Sequence, residues 1–500
     1  MKQAVVAIVA AGVAVSAGLA ARPTEEPVDA AVIAKIRDEG LNRSQVAPVF
    51  SMLVDTIGPR LTASPAHKRA ADFMRETATK YGLANARLEP FDFGRGWELD
   101  KFSIEMIAPR YMPLLGYAEA WSPATKRELV VTAVSVAGKT ADDIRAMRAR
   151  LKGAAVLQQP IVTNFIATDR VAPTSQPDVP QPAAGARGGG NRQGGAGRGR
   201  QSGAPTPADL QAAGAAVLLK PSRGMQGTVF VAAANRESTT DTLPKIVLAG
   251  EHYNIVARLL QQNLVVKIRV NLQSHLLQDR NSYNVLADLP GTDPALRDQV
   301  VMLGAHLDSW HAATGATDNA DGAVVALEAF RILKAIGVTP RRTLRLALWS
   351  GEEEGLLGSK AYVRDHLEGD AHRAERDKMD VYFNIDPGKG PIYGWYLEYN
   401  EAVRPVFDAW LAPFKDLGAV RNVAQGIGST DHLSFIAAGV PGFNPVQDYV
   451  DYDVRLHHTN ADTFERVNEQ DLKQNAVVLA AFLYHAATRT EMIPSAVRKQ

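Results

Sequence analysis

Residues 300–355 constrain this chain more than any other stretch. Two continuous apolar runs break off in acids or histidine, with one strong helix between them. The first run is VVMLGAHLDSW from Val300, and the second is RRTLRLALWSGEEEG, ending at Gly355. Between them lies DGAVVALEAFRILKAIG, whose apolar residues recur at the three-and-four spacing of a helix. Runs that are apolar throughout, rather than alternating, belong to a sheet covered on both faces. The same texture continues to the C-terminus. VYFNID reads as a strand, and LLGSKAYVRDHL, AVRPVFDAWLAPF and EQDLKQNAVVLAAFLYHAAT read as helices. The expectation is an α/β unit, a mostly parallel sheet with helices on both faces, and such sheets carry their sites at the carboxyl ends of strands.

A chain of 500 residues exceeds one ordinary core, so two folded units plus tails are expected. Its 55 basic and 54 acidic residues leave a formal charge of +1, which gives no general attraction to nucleic acid or an anionic membrane. Lys2 and the apolar run AVVAIVAAGVAVSAGLA, with small residues at its end, read as a signal peptide over residues 1–20. The chain is therefore expected to be exported, to the periplasm or medium, with no stable membrane span after cleavage. It has no cysteine, which excludes disulfides, a thiol nucleophile and any thiolate metal site.

Residues 29–81 have helical periodicity, with Ser44 and Gly58 as expected helix boundaries. Arg60, His67 and Lys68 are expected at the surface or in caps. Residues 21–113 are taken as the N-terminal part of the main unit and 272–500 as its remainder. Residues 114–271 change to short strands with turn signals, among them ELVVTAVSV, GAAVLLK, GTVFVAA and PKIVLAG. These read as an inserted strand-rich domain. Within it, residues 174–207 are rich in Gly, Pro and Arg and are expected to form a solvated loop.

Residues suited to metal stand at or near successive strand ends. His306 and Asp308 leave one strand two residues apart, and Asp308 is placed to orient the imidazole. Asp318 precedes the helix, Glu352 and Glu353 follow WSG, Asp386 ends VYFNID, and His457 and His458 lie in RLHHTNADT. Singly, each has an ordinary explanation as a cap, a core histidine or a solvated acid. Together they are hard to explain without metal. Imidazole with carboxylate suits zinc, with manganese or cobalt as alternatives. Such a donor set is too large for one open zinc site but suits two ions sharing a carboxylate, with a free carboxylate as base.

These segments resemble the co-catalytic zinc aminopeptidase family, and within it the carboxypeptidase Q branch. The resemblance rests on GAHLDSW, DN-x-DG, RTLRLALWSGEEEG, NID, GSTDHLSFIAAGVPG and HHTNADT, with DTIGPRLTAS as an N-terminal echo. It implies that His306 and Asp386 hold one zinc and that Glu353 and His458 hold the other, with Asp318 bridging. Glu352 is then the general base and Asp308 the residue orienting His306. Of the two adjacent histidines His458 is implied and His457 held in reserve, Glu354 is left out, and Asp431 and His432 are either supporting residues of the site or simply follow a helix cap at Ser429 or Thr430. The inserted unit is implied to be a protease-associated domain. The expected function is an exopeptidase acting near a free N-terminus, as an aminopeptidase or dipeptidase. Its partner is a peptide or dipeptide, and homodimerisation is left open. Two other functions compete: a zinc deacylase or dipeptidase of the related HxD/EE group, and a non-catalytic receptor-like protein.

Overall fold

The computed structural model describes residues 26–171, 173 and 204–498. The expected signal peptide and most of the Gly/Arg-rich stretch lie outside the described residues; Thr206 and Pro207, at the end of that stretch, open the helix Pro207–Ala212.

The apolar runs form a seven-stranded sheet with the spatial order Ala84–Asp92, Asn281–Leu289, Thr343–Trp349, Val300–His306, Met379–Asn384, Gly442–Asp448 and Lys389–Tyr396. The central four, from Thr343–Trp349 to Gly442–Asp448, are mutually parallel. Antiparallel strands flank them on both sides, so the sheet is parallel at its centre and mixed at its margins. Register brings the ends of the parallel strands together: His306 lies opposite Trp349, and Gly304 opposite Asn384.

Side chains alternate along each strand, and each face has its own cover. Val301, Leu303 and Ala305 join Leu344, Leu346 and Leu348 beneath the helices Asp321–Ala335, Glu469–Thr488 and Ala30–Asn42. Met302, Ala347, Trp349 and Tyr382 face the other way, against Tyr362 and Phe435 from the helices Leu357–His366 and His432–Ala437. Every residue from Asp321 to Leu333 is buried, which explains why that segment is apolar around nearly its whole circumference. Each fully buried Val, Leu, Ile or Phe contributes roughly 1.5–3 kcal/mol over exposure, so this layer fixes the strand ends firmly. Gly304 is required where it stands. A Cβ there would lie 2.5 Å from the Tyr382 hydroxyl and 2.9 Å from the Trp349 indole nitrogen.

A second sheet of eight strands draws on residues 97–276. Trp97–Ala108 pairs along nearly its full length with Lys267–Leu276, and a parallel set of Leu129–Ser135, Ala155–Leu157, Val217–Pro221 and Lys245–Leu248 continues the sheet. GTVFVAA, expected as a strand, forms none. Its backbone instead pairs with the loop at His458–Asn460, Phe230 bridging to Thr459, and at Ala233 bridges to Ala120. A local apolar pattern shows that a segment is extended and covered but does not say by what.

Candidate metal centre

His306 ends its strand fully buried. Its Nδ1 donates to the backbone carbonyl of Asp308 at 3.1 Å, while the Asp308 carboxylate stands 3.7 Å away. The orienting contact expected from the Asp308 side chain is therefore made chiefly by its main chain. The side chain accepts from the backbone N–H groups of Glu352 and Glu353, both at 3.3 Å, and from the Thr62 hydroxyl at 3.1 Å. Asp308 thus ties the Glu352–Glu353 turn to the end of the neighbouring strand.

The free imidazole nitrogen of His306 faces two carboxylates, Asp318 at 3.2 Å and Asp386 at 3.7 Å. The other Asp318 oxygen lies 3.5 Å from His458 Nε2, which is 2.8 Å from Glu353. Asp318 therefore stands between the two histidines with one oxygen toward each. Ligating atoms of His306, Glu352 and Asp386 fall within 4.8 Å of one another, as do those of Asp318, His457 and His458. All seven expected residues meet in one place, Asp308 by bracing it. Glu352 sits with His306 and Asp386, which also makes it a candidate donor. His457 stacks between Tyr452 and His458, with ring centroids 5.2 and 3.7 Å away. Glu354 joins neither group and lies beside Thr62 and Asp308.

Asp318 is set by contacts distant in sequence. Asp462 accepts from the Thr317 N–H and hydroxyl, both at 2.8 Å, and from the Asp318 N–H at 3.2 Å. Asn319 donates to the Ile385 carbonyl at 2.9 Å, joining this turn to the Asp386 strand end. The helix proper begins at Asp321, so Asp318 is not its cap. Asp431 precedes the helix His432–Ala437 without capping it and instead receives the Ser359 hydroxyl; His432 faces Glu398 at 3.2 Å.

Arg60 and His67 overturn an expectation. Both are buried, not exposed. Arg60 donates to the carbonyls of Gly58, Leu307, Thr314 and Gly315, bracing the loop between His306 and Asp318. His67 is not the cap of its helix, a role Ser64 fills. Lys68 does sit near the surface, paired with Asp72.

Charge in this site is one-sided. Burial pushes Glu352 and Glu353 well above the usual carboxylate range, helped by Asp386 and Asp318 respectively. Burial likewise raises Asp431 and Asp462 to about 7 and Glu354 to about 8. Burial opposes a charge on His306, but Asp386, Asp308 and Asp318 outweigh it and hold its pKa well above the ordinary value. Burial lowers the Arg60 pKa to about 10, with Asp462 and Asp308 opposing the fall.

Acids packed so closely call for a cation, and the donor atoms fit one. His306 Nε2, Asp318 Oδ2 and Glu353 Oε1 are buried without hydrogen-bond partners, though other ionisable groups lie close. A cavity of about 10 Å³, roughly one water-sized sphere, is lined by Asp318, Glu353, His458, Trp310 and Asp462. Imidazole and carboxylate without thiolate is the donor set of a hydrolytic metal site.

Residues 284–483 match the model of peptidase family M28. These residues form an M28 metallopeptidase domain. Its span runs from the strand Asn281–Leu289 to the last helix and includes every residue just described except those of the N-terminal segment from Gly58 to Asp72. Carboxypeptidase Q from Bos taurus is 26% identical over 89% of this chain and 86% of its own length. A peptidase M28 precursor from Shewanella amazonensis superimposes with a TM-score of 0.69 at 25% identity, covering 94% of this chain and 99% of that one. A zinc aminopeptidase from Bacillus subtilis is similar in fold, with a TM-score of 0.57 at 21% identity over 91% and 97% of the two chains.

Proposed function

We propose that this metallopeptidase is an exported zinc exopeptidase that cleaves peptides next to a free N-terminus, as an aminopeptidase or dipeptidase. One observation carries the proposal: Asp318 places one carboxylate oxygen toward His306 and the other toward His458. That arrangement supports two ions, with His306 and Asp386 on one side, Glu353 and His458 on the other, and Asp318 shared. When bound, zinc supplies Lewis acidity to the scissile carbonyl and to the attacking water.

The remaining work falls to the chain. Glu352 takes the proton from the attacking water and returns it to the leaving amine. Asp308 fixes the base by accepting its backbone N–H, so the Glu352 carboxylate is presented from a braced turn. Asp462 and Arg60 hold the backbone on which Asp318 and Asp308 stand. The second sheet is proposed as the expected protease-associated domain. Export is proposed from the basic, apolar and small-residue order of residues 1–20.

The test is a panel of peptides with free and acetylated N-termini, assayed on zinc-loaded protein. Cleavage of free peptides alone, one or two residues at a time from the N-terminus, is expected. Equal cleavage of the acetylated peptides overturns the free-amine requirement.

A further inference from the structure

Most of the centre is carried by the seven-stranded sheet, but His458 is not. It lies on the loop after the strand Gly442–Asp448, beyond a π-helical turn at Tyr452–Leu456, with its own φ at +61°. A non-glycine residue in that region is strained and persists only where its surroundings impose it. Two segments of the second-sheet unit do so.

The first is the extended piece at Val229–Val231. Val231 N–H donates to the His458 carbonyl at 3.0 Å, and Asn460 N–H donates to the Val229 carbonyl at 3.2 Å. The Asn460 side chain accepts from Val229 N–H at 2.7 Å. The second is the pair Asp169–Arg170. One Asp169 oxygen accepts from Asp451 N–H at 2.9 Å and the other from Val454 N–H at 3.0 Å, so a single carboxylate holds the start and the middle of the turn. Arg170 grips Asp453 with Nε at 2.8 Å, Nη2 at 2.5 Å and its own backbone N–H at 2.8 Å. Its guanidinium lies 4.6 Å from the centre of the Tyr449 ring. Asp453 retains only 3% of its side-chain exposure, so this pair is shielded from solvent on the acid's side. The grip is fixed at its base, because Ile166 N–H donates to the Arg223 carbonyl and Val162 N–H to Asn254, both within the second unit.

We infer that Asp169 and Arg170 are positioning residues for His458, so that the second-sheet unit sets how tightly the His458 side of the centre holds metal. The inference rests on the zinc reading above. Backbone placement is the route: the turn they clamp leads within a few residues to His458, whose carbonyl is held separately by Val231. Removing partners that orient a ligand costs about 10–100-fold in metal affinity.

The experiment uses the full chain, stripped of metal and titrated with zinc against a chromophoric chelator. The variants are Arg170→Ala, Asp169→Ala, the milder Asp169→Asn, Asp453→Ala and the double Arg170→Ala/Asp453→Ala. Melting of the metal-stripped proteins is recorded alongside. The expected result is that part of the bound zinc weakens by about tenfold or more while the remainder keeps its affinity. The double variant should be no weaker than either of its single variants, and the metal-stripped melting transition should be retained. Asp169→Asn keeps one acceptor and should fall between wild type and Asp169→Ala. Variants that hold zinc as wild type does overturn this inference alone. So does uniform weakening of all bound zinc with earlier melting of the stripped protein, which would mark general destabilisation. A wild-type chain that takes up no zinc overturns the functional proposal and this inference with it.

Discussion

Arg60 donates its Nε hydrogen to the carbonyl of Leu307 across 2.7 Å, tying the N-terminal part of the chain to the residue between His306 and Asp308. The same guanidinium reaches Gly58, Thr314 and Gly315. Arg60→Met leaves the carbonyls of Leu307, Gly58 and Thr314 without this donor at roughly 1–3 kcal/mol each, less whatever relaxation recovers, while Gly315 still accepts from the Ala320 N–H. The unfolding free energy should fall by about 3–5 kcal/mol, read from the urea midpoint. Arg60→Lys keeps the charge but not the planar fork, and should fall between the two. An unchanged midpoint in the Met variant would show that the loop does not depend on this residue.

Glu352→Gln removes the proposed proton carrier and little else, because Asp308 receives the backbone N–H of residue 352 and not its side chain. Turnover should drop by about 10²–10⁴-fold while bound zinc, measured by elemental analysis, stays at the wild-type amount. Loss of zinc in step with activity would recast Glu352 as a ligand, which its closeness to His306 and Asp386 makes a sharp alternative.

Metal removal should be felt as lost stability. A ligand at 100 times its dissociation constant stabilises a fold by about 2.7 kcal/mol, and here it also relieves repulsion among buried acids. Differential scanning calorimetry with and without chelator should show the stripped protein melting earlier. Identical traces would argue against a resident cation.

Glu39 gives a pH dependence well away from the centre. Burial alone would raise its pKa, but Arg43 and Arg331 outweigh burial and set it below 4.5. Arg331 also binds Glu328, which accepts from Ser44, so the pair joins the helices Ala30–Asn42 and Asp321–Ala335. A depressed folded pKa contributes stability above the unfolded value and loses it as pH falls through the folded one. The stability gap between wild type and Glu39→Gln should therefore be full at neutral pH and shrink below about pH 4.5. Urea titrations at pH 7 and at about pH 4 measure it, and a gap that widens on acidification contradicts the assignment.

Local pattern made the centre legible where chemistry and secondary structure coincide. His306, Asp386 and the Glu352–Glu353 pair stand at ends of apolar runs, and the parallel register of those runs brings them together. Arg60 was not legible, because nothing around GPRLTAS shows that its partners lie at Leu307, Thr314 and Gly315. Asp462 was hidden for the same reason: its partners are the backbone of Thr317 and Asp318. Asp169 and Arg170 gave no signal at all, since their importance lies in a turn formed near the other end of the chain. The Asp308 carboxylate shows the converse limit. Its spacing from His306 was informative, yet the contact with the imidazole comes from its carbonyl.

The pairing of Val229–Val231 with His458–Asn460 also bears on how the enzyme is made. His458 is held in place only once the second sheet is folded and the chain has been completed past it, so a partly synthesised or partly unfolded molecule has no finished site for zinc. Under the proposed assignment, hydrolytic power would be the last property the molecule acquires, and a chain still threading through an export channel would be harmless to the proteins around it.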